Sequence, residues 1–340
     1  MVKILLKSFI SDDFELILCS HTTRTPTRLY PLLFPIRFIK DIGKLFIYGL
    51  HADGVHIYLQ YRSAIVREYF IIRLARLIKL PVFVEIRAGY FISWYFNTNI
   101  IYKKMADDII NNSKIIGSQG QEYITFLKEK FDKDVVYVPN FVISKLIPRY
   151  IEKKRCYHTH LKILFVGYCS KAKGIIELIK GCQRVAESGR VIELTLIGKE
   201  DTEITRWINS YNPHRNFKIT RKGYQSHDKV LEAFALHDIF VLPTRYSGEG
   251  HPNVLNEAMM MKMIIVTTKH GFICDLLDDH SCYFINKNDH ESIAKSIIHI
   301  SENYGEAVKK SENAYKRLIE NFTDKQIIPR IENVYRQLVS

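Results

Sequence analysis

From residue 161 onward, six short apolar runs are separated by longer stretches, and no other feature restricts the fold so strongly. The runs are LKILFVG (161–167), ELTLIG (193–198), FKIT (217–220), DIFVLPT (238–244), MIIVTT (263–268) and CYFIN (282–286). Runs this short, bounded by polar segments, read as buried strands. Between them lie amphipathic stretches such as GIIELIKGCQRVAESG (174–189) and SHDKVLEAFALHD (226–238). The second opens on Ser226, a good N-cap residue type, with Asp228 placed in the first turn where the helix dipole favours an anion. Strand and helix alternating in this way predict parallel βαβ units in an α/β layer.

The first half repeats the beat less cleanly. FELILCS (14–20), GVHIYLQ (54–60), PVFVEIR (81–87), KIIGS (114–118) and VVYVPN (135–140) read as strands, with AIVREYFIIRLARLI (64–78) and GQEYITFLKEKF (120–131) as helices between them. The polar, basic segment IEKKRCYHTHLK (151–162) is the expected linker. A chain of 340 residues exceeds the usual size of one core. The expected organisation is therefore a first domain over 1–152 and a second over 153–323. A terminal helix over 324–340 carries Pro329 near its start or at a kink and is expected to pack back on the first domain. Two α/β halves place ligands at the carboxyl ends of their strands, so a cleft between the sheets is expected. The opening is unusual: VKILLKSFI (2–10) runs into DDF and FELILCS with no glycine before Gly43, so the first domain is expected to lack an opening strand or its glycine-rich loop.

The stretch GEGHPNVLNEA (248–258) follows the run DIFVLPT and holds Glu249 and Glu257 on either side of a Gly-His-Pro-Asn bend. Pro252 suits the first turn of a helix, where its missing N–H costs nothing. An anion at that helix start would meet free backbone N–H groups and the positive end of the dipole. Glu257, a turn further along, could accept two hydrogen bonds from a vicinal diol such as a ribose, each contributing about 1.5–3 kcal/mol. Glu249 on the loop could reach a sugar hydroxyl or a reacting centre. As bare spacing, the pair reads as two solvated glutamates; the strand–loop–helix context favours a site. VGYCSKAKGIIEL (166–178) is a strand, a turn containing Gly167, and then Lys173-Gly174 opening a helix. Lys173 could pair with phosphate there or simply be solvated; the segment does not match the P-loop pattern.

In the first half His51, His56 and Arg87 stand near strand ends, and Arg87-Ala88-Gly89 is an expected anion or sugar contact. Asp132-Lys133-Asp134, in a turn amid lysines, reads as structural rather than as a metal–diphosphate site. Six cysteines form no CxxC pair or zinc spacing, which suits reduced thiols in a cytoplasmic protein. No secretory signal pattern opens the chain.

The net charge is +13, which points to an anionic partner. Over half of it lies in residues 20–80, where ten Lys and Arg face Asp41, Asp53 and Glu68, interleaved with Tyr30, Phe34, Phe38, Phe46 and Tyr48. Basic and aromatic residues together suit an anionic bilayer face. Four charges interrupt Leu29–Leu50, which argues against a spanning helix. Nucleic acid would also suit the charge, but no recognition-module signature accompanies it, and none is expected as a partner.

In these contexts the second half resembles glycosyltransferase family 4, the "group 1" glycosyltransferases of the GT-B fold. The resemblance rests on Lys173-Gly174 after a strand and turn, GYQSHDKVLEAFALHDIFVLPT, EGHPNVLNEAM and His270-Gly271, all in the family's order over about 160–300. It is weaker in VHIYLQYRS, RAGYF and VVYVPNFV of the first half. The resemblance implies two Rossmann-like doubly wound domains and a nucleotide-sugar donor held by the second. Glu257 would hold the ribose, Glu249 would act at the donor sugar or reacting centre, and Lys173 would meet the diphosphate after Gly167. Gly250, His251, Pro252 and Asn253 would line sugar and phosphate, with Gly271 in a sugar-contact loop and Tyr224 where the base is received. Arg87 and Gly89 would lie on the acceptor side.

The resemblance further implies retention of anomeric configuration with no metal or other cofactor. The expected function is transfer to a glycan or lipid-linked glycan acceptor in surface polysaccharide synthesis, at the inner face of the cell membrane. Departures are Tyr168 in place of an arginine, Lys262 and Ile264 in place of a glycine and a proline, and Glu85 and Arg87 where many relatives carry histidines. The Tyr168 departure and the incomplete opening leave a second expectation, a donor-binding subunit without turnover.

Overall fold

The computed structural model describes residues 13–17, 30–62, 64–147 and 160–340. Of the run expected as a strand over 14–20, residues 14–17 form no strand and 18–20 lie outside the described residues, as do 2–10 of the opening and 151–159 of the expected linker. The chain forms two compact units, one of residues up to Pro139 together with Ile327–Ser340, the other Asn140–Gln326.

The first unit carries a four-stranded parallel sheet in chain order, β1 (Val55–Leu59), β2 (Val82–Ile86), β3 (Ile115–Ser118) and β4 (Val135–Tyr137). Every residue of β2 is buried, as an interior strand covered on both faces requires. The connections are helical: Ala64–Leu77 between β1 and β2, Phe91–Asn97 and Ile100–Asn111 before β3, and Gln121–Phe131 before β4. Asn99 caps the third of these by accepting from Tyr102 N at 3.0 Å. The first unit is closed by the chain's last helix, Asp324–Val339, which contains Pro329 six residues in. Its buried residues Ile327, Ile328, Ile331, Val334, Tyr335 and Leu338 repeat at helical spacing and form one apolar stripe. Tyr335 Oη lies 2.9 Å from His56 Nδ1 of β1, and Lys114 Nζ donates to Leu338 O at 3.0 Å.

The second unit holds a six-stranded, wholly parallel sheet in the order β10–β9–β8–β5–β6–β7. These are β5 (His160–Val166), β6 (Val191–Ile197), β7 (Phe217–Arg221), β8 (Ile239–Leu242), β9 (Ile264–Thr268) and β10 (Tyr283–Ile285). The first strand of the unit pairs with its second on one side and its fourth on the other. This is the doubly wound dinucleotide-fold order, and it reverses between β5 and β8. Helix Ile175–Glu187 covers the sheet with Ile175, Leu178, Ile179, Cys182, Val185 and Ala186, again one stripe.

Three expectations need correction. The strand expected from Leu161 starts one residue earlier, at His160, so 160–162 belong to β5 and not to the overlapping linker: Leu161 is buried while His160 and Lys162 alternate outward in register with Val191 and Glu193. The units divide at Pro139–Asn140 instead of after 152, because Asn140 bonds His251 and Asn256 and Val142 bridges Thr323. Ser226 stands at the N-cap of His227–Leu236, yet its side chain makes no capping bond.

Candidate functional site

In an open parallel sheet, two adjacent loops diverge where the strand order reverses, and a crevice opens at the strands' carboxyl ends. In the second unit that point lies between the loops after β5 and β8. The first loop begins with Gly167 and ends in a short 3-10 turn, Lys171–Lys173, and Gly174. Gly174 has φ +75°, and a Cβ there would stand 2.3 Å from Pro243 O, the first residue beyond β8. Only glycine lets these two backbones approach so closely. Arg245 N donates to Ala172 O at 2.9 Å, tying the same loops a second time.

The union places Lys173 against Glu249, 76 residues away, in a short ion pair. Glu249 is only 7% exposed, and the same carboxylate oxygen accepts from Thr244 Oγ1 at 2.7 Å. The Lys173 ammonium also lies 5.2 Å from the centre of the Tyr246 ring. The bend carrying Glu249 is held from behind: Glu249 N donates to Tyr246 O at 2.9 Å, and His270 Nε2 lies 2.8 Å from that carbonyl. Gly271, at φ +55°, sits where a Cβ would meet Glu249 O at 2.1 Å. The sequence assigned Lys173 and Glu249 separate ligands; the structure makes each the other's partner.

Helix Asn253–Met260 follows the bend, with Pro252 at the N-cap rather than in the first turn and no side chain capping that end. Asn253 is exposed there, while Pro252 and His251 are buried. His251 O accepts from Asn140 Nδ2 at 2.5 Å, and its ring packs 5.4 Å from that of Phe322. His251 is thus a packing residue as much as a lining one.

Glu257, one turn into the helix, pairs with His227 Nε2 at 3.1 Å. The Glu257 hydrogen bond and charge hold His227 protonated above the usual histidine range. Tyr224, three residues before His227, is 77% exposed and follows Gly223 at φ +61°. The loop after β7 is therefore drawn to the helix that carries Glu257. Gly167 is matched by Gly198 at the end of β6, where a Cβ would stand 1.8 Å from Gly167 O. Tyr168 beside it is exposed.

Sequence reasoning missed His227, Thr244, Tyr246 and Gly198. His227 had a signal, as a histidine at the first position of a helix next to Ser226. Gly198 had one too, ending the run ELTLIG as Gly167 ends LKILFVG. Thr244 and Tyr246 had none.

In the first unit Arg87 follows β2 and turns back on its own strand. Its Nη1 lies 3.3 Å from Glu85 Oε1, and its guanidinium covers the Tyr58 ring at 4.8 Å. Glu85 is buried and also meets His56 Nε2 at 3.3 Å. Gly89 lies in the following turn, which Tyr123 Oη pins by accepting from Phe91 N at 2.9 Å and donating to Ala88 O at 3.0 Å. Asp132 of the Asp-Lys-Asp triplet is the left-handed C-cap of Gln121–Phe131.

The second unit thus has the make-up of one half of a GT-B fold: a 3-2-1-4-5-6 sheet with a cation, two carboxylates and an open helix end about its switch point. The family model described as "Glycosyl transferases group 1" matches residues 147–317, and the chain belongs to that family. It is 24% identical over 273 residues to the capsular polysaccharide biosynthesis glycosyltransferase CapM of Staphylococcus aureus, a match covering 79% of this chain and 65% of CapM. It is 24% identical over 156 residues to the amylovoran biosynthesis glycosyltransferase AmsK of Erwinia amylovora, covering 44% and 38%. The matches therefore span less than two thirds of these relatives' lengths. Among solved structures it shares its fold with HepE of Anabaena in complex with UDP, at a TM-score of 0.69 and 14% identity, covering 90% of this chain and 84% of that one.

Proposed function

We propose that the protein transfers a sugar, with retention of configuration, from a nucleotide-sugar to a glycan or lipid-linked glycan acceptor in surface polysaccharide synthesis. The observation that carries this reading is the meeting of Lys173, Glu249 and Thr244 at the switch point of the second sheet. A diphosphate arriving there exchanges for Glu249 as the partner of Lys173 and lies over the uncapped start of Asn253–Met260. Gly250, His251, Pro252 and Asn253 line the sugar and phosphate, and Gly271 lets the bend close behind them. Glu257, oriented by His227, takes the ribose diol, and Tyr224 receives the base. Glu249, released from Lys173, faces the donor sugar. Arg87 and Gly89 serve the acceptor from the first unit, and no metal is required because Lys173 and the helix end carry the phosphate charge.

The polysaccharide assignment follows the names of CapM and AmsK, and the nucleotide donor follows HepE, whose structure holds UDP. A lipid-linked acceptor places the protein at the inner membrane face. The test is a thermal-shift panel of UDP, GDP and their sugars, followed by transfer assays with EDTA present. One nucleotide raises the Tm of the wild type, and Glu257→Ala abolishes that shift together with most donor-dependent transfer. Wild-type transfer by Glu257→Ala overturns the site. Donor binding without turnover on any acceptor instead assigns a binding subunit, the reading that Tyr168 favours.

A further inference from the structure

The first described helix, Tyr30–Gly49, is apolar on both of its faces. One face is accounted for: Leu45 is buried, the Phe38 ring packs 5.6 Å from that of Phe70, and Asp41 meets Arg67 at 3.8 Å. Gly49 is pressed close enough that a Cβ would touch Ile78 at 2.8 Å. The opposite face shows no such neighbours among the described residues. Ile36, Ile39, Gly43, Phe46 and Leu50 recur at intervals of three and four, which align them on one side of a helix. The four large side chains are exposed, Ile39 to 69%, and a Cβ on Gly43 would meet nothing within 4 Å.

Helix Ala64–Leu77 extends the apolar surface with Phe70 and with Leu77, which is 79% exposed. A cavity of about 380 Å³ lies between the two helices, its walls apolar apart from Arg73. A contiguous apolar surface of this kind is uncommon on a monomer and marks an interaction face. Arg73 on the cavity wall pairs with Asp108, and the other exposed charge of the two helices and their ends is basic. Both acids of the two helices, Asp41 and Glu68, are turned inward onto Arg67. Lys40, Arg76 and Lys79 are exposed and pair with no carboxylate among the described residues.

We propose that this face is an in-plane anchor for an anionic lipid surface. Ile36, Ile39, Phe46 and Leu50 enter the acyl boundary, while Lys40, Arg76 and Lys79 meet lipid phosphates. An apolar stripe flanked by lysine and arginine is the arrangement of a helix that lies in a membrane interface. No described helix is long and apolar enough to cross a membrane, so the face lies on the bilayer. A second copy of the chain is the less suitable occupant, because self-association would bring like-charged rims together. The inference deepens the membrane-facing part of the proposed function by naming the element that makes the contact.

Co-sedimentation with phosphatidylcholine vesicles, with and without phosphatidylglycerol and at low and high salt, tests it. The wild type binds the anionic vesicles, and high salt weakens that binding. The double variant Ile39→Glu/Phe46→Glu loses binding at every salt concentration. Lys40→Glu/Lys79→Glu loses at least about tenfold, since each basic residue near such a surface is worth about 1 kcal/mol. Because all four residues are exposed, both variants keep the wild-type Tm and its shift with whichever nucleotide of the panel stabilises the wild type. That control separates failure of the anchor from failure of the donor site. Wild-type protein that ignores anionic vesicles, or variants that bind as wild type does, overturn the proposal. So does a lipid-free dimer that Ile39→Glu/Phe46→Glu converts to monomer.

Discussion

At the scale of single residues, the candidate site depends on glycines that let two loops touch. Gly174 is left-handed and in contact with Pro243 O, so Gly174→Ala incurs both a backbone penalty of about 1–2 kcal/mol and a direct clash. The expected result is a chemical-denaturation loss above about 2 kcal/mol together with loss of the nucleotide-induced Tm shift. Gly189→Ala, also left-handed but with nothing near its Cβ, keeps the shift and shows the backbone penalty alone.

His227 supplies a pH dependence whose sign follows from its pairing. Glu257 raises its folded pKa above the unfolded value, so the pair's contribution to stability is full below about pH 6.5 and disappears as pH rises through the folded pKa. The Tm difference between wild type and His227→Gln is therefore positive at pH 6 and shrinks toward alkaline pH. A difference independent of pH would remove the pair from the account.

At the scale of elements, the described strands and most helices were legible because each carries its own periodicity. The buried stripe of Ile175–Glu187 and the all-buried run of β2 are both visible in the bare sequence. The boundary near 151–162 was misplaced because polarity marks exposure, not chain connectivity. His160 and Lys162 are polar on the outward side of a strand whose Leu161 faces inward. The site was legible as three separate contexts: the Lys173-Gly174 turn, the Glu249 bend and the Glu257 helix. Their meeting was not, because it depends on the order of strands in the sheet. β5 and β8 are neighbours although two strands separate them in the chain, and no local pattern records that adjacency. The same stripe makes a packing prediction. Leu178 is wholly buried under the sheet, and Leu178→Ala should cost about 2–5 kcal/mol in denaturant unfolding, as for a cavity in a well-packed core. An exposed substitution on the same helix, Lys180→Ala, should change stability by less than about 0.5 kcal/mol.

At the scale of the whole molecule, the first unit is discontinuous, since its last helix is also the last of the chain. The six buried apolar residues of Ile327–Leu338 are each worth about 1.5–3 kcal/mol, so together they match or exceed the net stability of an ordinary domain, about 5–15 kcal/mol. The first unit therefore depends on this helix for a large share of its stability. Truncation after Gln326 should therefore abolish hydrogen-exchange protection across β1, β2 and β3, whose strands rely on that helix. Tyr335→Phe is the contrasting case. It keeps the apolar stripe and removes only the hydroxyl beside His56 Nδ1, for a loss of about 1 kcal/mol with protection otherwise native. If the truncated chain kept full protection in those strands, the terminal helix would be an appendage. The stripe of buried residues and the His56 contact would then be packing without consequence, against the about 1.5–3 kcal/mol expected for each buried side chain.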